Sequence, residues 1–214
     1  MTFLELCKRV RADAGISGDI ATVLNQQGMM AKLVNWVRQA DLDIQRMQTS
    51  WTFMWRTATP LLQVGVRLYQ PADLDIQQVR DSLSFQIGKQ YLKMVSWEHW
   101  MQSYNLQLVD TPAQPTVFTQ RPDGAFLFDR IPDQAYPLTI AYYIKPISMV
   151  SNSSVSVVPE EYHEAIVQRA LYLYAKQEED QYLMQTAQTE FDMLTSQLAA
   201  DYLPDCDFDR GRIY

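Results

Sequence analysis

Cysteine is scarce in this chain of 214 residues. Cys7 and Cys206 stand almost a full chain length apart, with no CxxC pair and no histidine at ligand spacing. Neither a disulfide framework nor a zinc module is expected, and both residues read as free thiols suited to a reducing cytoplasm. Long apolar runs are also lacking: none approaches the roughly 18 residues of a membrane-spanning helix. The opening MTFLELCKR is interrupted at Glu5, so a signal peptide is not expected either. Lys and Arg never gather into the blocks of about five or six that mark a nucleic-acid footprint, and the net charge is −7. Sequence-specific DNA binding is therefore not expected. An acidic surface repels a polyanion, which suits a channel through which DNA slides better than a grip upon it, and an ordinary solvated acidic surface has the same charge.

Catalytic signatures are missing as well. No GxSxG, Walker A or GxGxxG run occurs, so the strained nucleophile turn and the phosphate cradle have no source. His99 and His163 are the two histidines, each without a second ligand at HExxH or HxH spacing, and both read as solvated or core residues. The acid pairs Glu160–Glu161 and Glu178–Glu179 fall at helix ends, where solvation and the helix dipole account for them. Asp205-Cys206-Asp207-Phe208-Asp209 imitates the start of a calcium loop. Arg210 then occupies the position where such a loop needs glycine. No catalytic, cofactor or metal site is expected.

Aromatic residues are plentiful, with five Trp, twelve Tyr and eight Phe, enough for a large core or for extensive subunit contacts. The clearest local structure lies between Thr116 and Ile147. VFTQ and AFLF are strand-like runs separated by R-P-D-G, in which Pro122 presets φ for a type I turn and Gly124 takes the left-handed position. A second break at Pro132–Tyr136 returns the chain into PLTIAYYI, with Ile140, Tyr142 and Ile144 on one face. The expected unit is a β-meander. Upstream, Ser82–Ile87 alternates polar and apolar residues, and Ser96 precedes a short helix as its N-cap.

Helical periodicity flanks this β region. Thr2 and Glu5 form a capping box ahead of Phe3, Leu6 and Val10, with Gly15 as the stop. Leu33, Val37, Ala40, Ile44 and Met47 share one helical face ending near Ser50. Pro159 and the acids Glu160 and Glu161 open a third helix, faced by Ile166, Val167, Ala170, Leu171 and Tyr174. KQEEDQ breaks or kinks it, and Leu183, Ala187, Phe191, Leu194 and Leu198 define a fourth. The expected fold is α+β: residues 1–50 and 159–203 form a discontinuous helical bundle, because each helix has one apolar face to bury. Residues 51–147 form an inserted antiparallel β domain, 148–158 a Ser-rich linker, and 204–214 an extended C-terminal tail. From Tyr202 the tail's thirteen residues reach about 40 Å at ~3.3 Å per residue.

RPDGAFLFDRIPDQAYPLTIAYYIKP, the Ser-rich linker and VPEEYHEAIVQRALYLYAK, together with MTFLELCKRVRADAGISG and KLVNWVRQADLDIQ, closely resemble the bacteriophage head-to-tail adaptor proteins. Between Val64 and Val95 the sequence follows no pattern of that family, and the strand order there stays open. The resemblance implies a structural protein of the virion neck, made in the host cytoplasm. It would form a ring, commonly of twelve copies, that joins the portal to a tail or nozzle protein and extends the DNA channel. It also implies that the C-terminal region holds the portal, which makes Tyr202, Leu203, Phe208, Ile213 and Tyr214 the candidate partner-binding residues. A head-completion or stopper protein of the neck is the nearest alternative. A DNA-packaging accessory factor or a virion-associated hydrolase would need a basic stripe or a convergent polar cluster.

Overall fold

The computed structural model describes residues 1–76, 79–104 and 112–204. In chain order the elements are α1 (Phe3–Asp13), α2 (Gly28–Met47), β1 (Trp55–Ala58), β2 (Leu68–Tyr69), β3 (Val79–Ile87), β4 (Gln90–Tyr91), β5 (Lys93–Val95), α3 (Trp97–His99), β6 (Val117–Gln120), β7 (Phe126–Phe128), β8 (Leu138–Ile144), α4 (His163–Glu178) and α5 (Gln181–Tyr202). The fold is α+β, divided into two compact units. One is Met1–Met54 with the chain from Pro146 onward, and the other is Trp55–Lys145.

In the helical unit the local signals act as their chemistry demands. Thr2 Oγ1 accepts from Glu5 N at 3.3 Å, and the Glu5 carboxylate accepts from Thr2 N at 2.8 Å. Two amides that would otherwise be orphaned at the start of α1 are thereby satisfied. Phe3, Leu6, Cys7 and Val10 bury the inner face of α1. Leu33, Val37, Ala40 and Ile44 do the same for α2, whereas Met47, given to that face by spacing, is 47% exposed because the helix ends there. Pro159 precedes a single 3-10 turn, Glu160–Tyr162, so α4 begins at His163, later than the Pro-Glu-Glu start signal suggests. Glu179 adopts a left-handed φ of 58° and Asp180 then caps α5, its carboxylate accepting from Leu183 N at 3.0 Å. This tight corner lets α5 fold back along α4.

Among its described residues the β unit contains two four-stranded sheets, in the orders β1-β8-β3-β4 and β2-β7-β6-β5. The R-P-D-G hairpin forms as its residues dictate. β6 and β7 pair antiparallel, Arg121 N donates to Ala125 O at 2.8 Å, and Gly124 sits at φ 87°. The meander does not. β8 leaves the hairpin and pairs with β1 and β3 in the other sheet. Leu62 N donates to Tyr136 O and Leu138 N to Pro60 O, both at 2.9 Å, so residues 60–62 hold the chain that enters β8. The sheets are antiparallel except at β5, which runs parallel to β6, a geometry made possible by the long crossover through α3. Ser96 Oγ accepts from His99 N at 3.3 Å as the cap of α3, and a π-helical turn, Trp100–Tyr104, follows.

An aromatic stack joins the two sheets. Phe85 of β3 lies face to face with Phe118 of β6 at 4.1 Å between ring centroids, and Phe126 and Phe128 of β7 close around the pair. All four rings are fully buried.

Candidate partner-binding surface

The tail leaves the helical unit at the end of α5, and the residues there are firmly held. The Tyr202 ring packs edge-on against Phe53 and Tyr162, at 5.8 and 6.1 Å between centroids. Its hydroxyl donates to Glu161 at 2.7 Å, and Thr52 Oγ1 donates to its carbonyl at 3.1 Å. Beside it the Tyr162 hydroxyl donates to Asp201, and that hydrogen bond pushes the phenol up to about 12. Leu203, half-buried, caps the helix by donating from N to Ala199 O, then turns extended at φ −91°, ψ 143°. Pro204, exposed and without an N–H, cannot continue the helix.

Of the five residues singled out from the sequence, the structure thus brings Tyr202 and Leu203 together at the root of the tail. Phe208, Ile213 and Tyr214 lie outside the described residues. Thr52, Phe53, Glu161, Tyr162 and Asp201 complete the root and were not singled out. Only the aromatic run around Phe53 offered a signal.

A second cluster lies in the chain that returns from β8. Residues 146–158 run along α2 as a strap. Ile147 N donates to Gln45 Oε1 at 2.8 Å, Gln45 Nε2 donates back to Ile147 O at 3.1 Å, and Arg38 Nε donates to Met149 O at 3.1 Å. The Asn152 side chain accepts from Val23 N at 2.7 Å, and Phe3 N donates to Ser154 O at 2.8 Å. At its centre Asp41, fully buried, accepts from Ser156 Oγ and, at 2.9 Å, from Gln45 Nε2. Buried acids are often catalytic, but the partners here are a serine and an amide that fix a loop. The cluster is a clasp.

Burial pushes the Asp41 carboxyl up from 3.8 to about 6, against the opposing pull of its two hydrogen bonds. Between those values the folded protein holds a proton that the unfolded chain has released. Stability therefore falls as pH rises through that window and is level above it, by at most about 3 kcal/mol. Melting temperatures of wild-type and Asp41→Asn protein should differ more at pH 8 than at pH 4.5, with the wild type losing ground as pH rises. A difference independent of pH would show that Asp41 does not titrate in this range.

Cys7 is buried in α1, and desolvation drives its thiol up to about 12, leaving it a poor nucleophile. His163 is buried and donates Nε2–H to Val158 O at 3.0 Å, with burial holding the imidazole below its usual range. His99 is exposed on α3. Among the described residues no three His, Cys, Asp or Glu side chains converge as metal ligands, and no helix is long and apolar enough to cross a membrane.

The model of the SU10 adaptor protein family matches residues 1–207. No curated protein matches the chain. Matched over nearly its whole length, the chain belongs to the SU10 adaptor protein family.

Proposed function

We propose that this protein is the head-to-tail adaptor of a tailed phage, a ring of twelve copies in the virion neck that joins the portal to the tail or nozzle and continues the DNA channel. The observation that carries this reading is the family match across residues 1–207. The net charge of −7 is compatible with a wall that DNA passes without sticking. In this reading the tail beyond Leu203 holds the portal, the β unit faces the tail, and the mechanism is binding alone.

The isolated chain is expected to be monomeric or weakly associated at micromolar concentration and to form a ring on purified portal. Light scattering of the chain alone and electron microscopy of the mixture test both halves. A stable closed ring without portal would contradict portal-templated assembly. Failure to attach to portal at all would sink the adaptor assignment.

A further inference from the structure

The strap of residues 146–158 carries no charged side chain, and much of what it turns to water is aliphatic. Ile147 is 42% exposed, Val150 64% and Val155 60%, although Met149 among them is buried. With Val157 these residues line a concavity of about 270 Å³. Its floor is fixed, because Gln45 holds Ile147, Arg38 holds Met149, and Ser151 N donates to Ser154 Oγ at 3.0 Å across the turn between them and Val155. Gln45 and Arg38 stand seven residues apart on α2, so this part of the strap follows about 10 Å of that helix. Aliphatic side chains held in water on one anchored loop mark a contact surface.

The root of the tail lies beside the near end of this groove. The Tyr202 ring stands 5.8 Å from Phe53 and Phe53 stands 5.3 Å from Trp51. Trp51 Nε1 donates to Ile44 O at 3.0 Å, one residue before the Gln45 that holds Ile147. Tyr214 is eleven residues beyond Leu203, which gives it a reach of about 36 Å at ~3.3 Å per residue. The groove falls within that length. The chemistry agrees as well, since the tail's acids Asp205, Asp207 and Asp209 all precede its apolar end, Ile213 and Tyr214.

We propose that in the protein not yet attached to a partner residues 205–214 fold back along the strap of the same chain, seating Ile213 and Tyr214 between Ile147, Val150 and Val155, and that the portal must displace this contact to engage the tail. The second clause rests on the adaptor reading above; the fold-back does not. A tethered segment meets its groove at an effective concentration on the order of millimolar. A contact of two apolar side chains can therefore form within one chain where two separate chains would need high concentration. The portal then shifts the tail between two bound states, and its apparent affinity is reduced by the fraction of tails held on the strap.

The test uses the full chain, and its first two arms need no portal. Trypsin cuts after Arg210, and mass spectrometry follows release of the residues beyond it. Val150→Asp, Val155→Asp and the tail change Ile213→Ala with Tyr214→Ala should each speed that cleavage at least fivefold, while circular dichroism and melting stay those of the wild type. Unchanged cleavage in the tail variant, or in groove variants that remain folded, would overturn the proposal. In a Cys206→Ser background, Ile213→Cys and Val155→Cys should be joined within one chain by a short bis-maleimide in dilute protein, and the bridge should be lost when Val150→Asp is added. A bridge between two chains would give the groove to a second copy, and absence of any bridge would put the tail elsewhere; either result overturns the fold-back. The third arm adds purified portal, to which the two groove variants should attach at least fivefold more tightly than wild type. Equal attachment beside faster cleavage would refute the competition, whereas no attachment by any form would sink the adaptor assignment and leave the first two arms readable.

Discussion

With the tail as the proposed portal clamp, a chain lacking residues 204–214 is expected to stay folded and to fail to attach to purified portal. α5 closes at Tyr202, whose ring, hydroxyl and carbonyl are all engaged within the helical unit, and Leu203 completes the cap. The truncation removes none of these groups. Circular dichroism and thermal melting should therefore match the full chain, while attachment to purified portal falls below detection. Within the tail, Phe208→Ala and Tyr214→Ala should each weaken attachment by about 2 kcal/mol or more, the usual cost of emptying a partner's aromatic pocket. Asp207→Asn should matter less. If that acid dominates and added salt reproduces its loss, the attachment is electrostatic and the aromatic anchors are refuted; loss of cooperative melting on truncation would make the tail part of the fold.

Phe85→Ala should be the most damaging single change in the β unit. Its ring stacks on Phe118 and meets Phe126 and Phe128, so one truncation hollows the only described place where four aromatic rings from the two sheets converge. Phe-to-Ala changes in such sites cost about 3–5 kcal/mol, because the neighbours cannot collapse into the space. A marginal unit would lose much of its stability. In urea the β unit should unfold at lower denaturant than the helical unit, splitting one transition into two, with Phe85→Leu intermediate. An unchanged single transition would mean that the stack contributes little.

The two outcomes above draw on features of unequal visibility in the sequence. Capping at Thr2 and Glu5, the Gly124 turn and the spacing that buries Ala187, Phe191 and Leu198 are local: the residues that specify each lie within a few positions of one another. Sheet membership is not local. LTIAYYI alternates correctly for a strand beside β7, yet pairs with β1 and β3, because residues 60–62 far upstream intercept it at Pro137. Nothing in the alternation encodes which strand is the neighbour. The clasp was hidden for another reason. Asp41 and Gln45 stand one row from the apolar face of α2 and look like solvent-facing letters, until Ser156 and Ile147, more than a hundred residues away, cover them. The root of the tail was half visible, since Tyr202 could be singled out but its partners Phe53 and Glu161 could not.

β1 and β8 are neighbouring antiparallel strands, with Trp55 opposite Tyr143. Antiparallel partners stand about 5 Å apart at their Cα atoms, so the chain enters and leaves the β unit through what amounts to a single doorway. A short turn could bridge Met54 to Pro146 and leave the helices with their own core. The β unit is thus a cassette: it can be exchanged, enlarged or discarded without redesigning the helices that carry it.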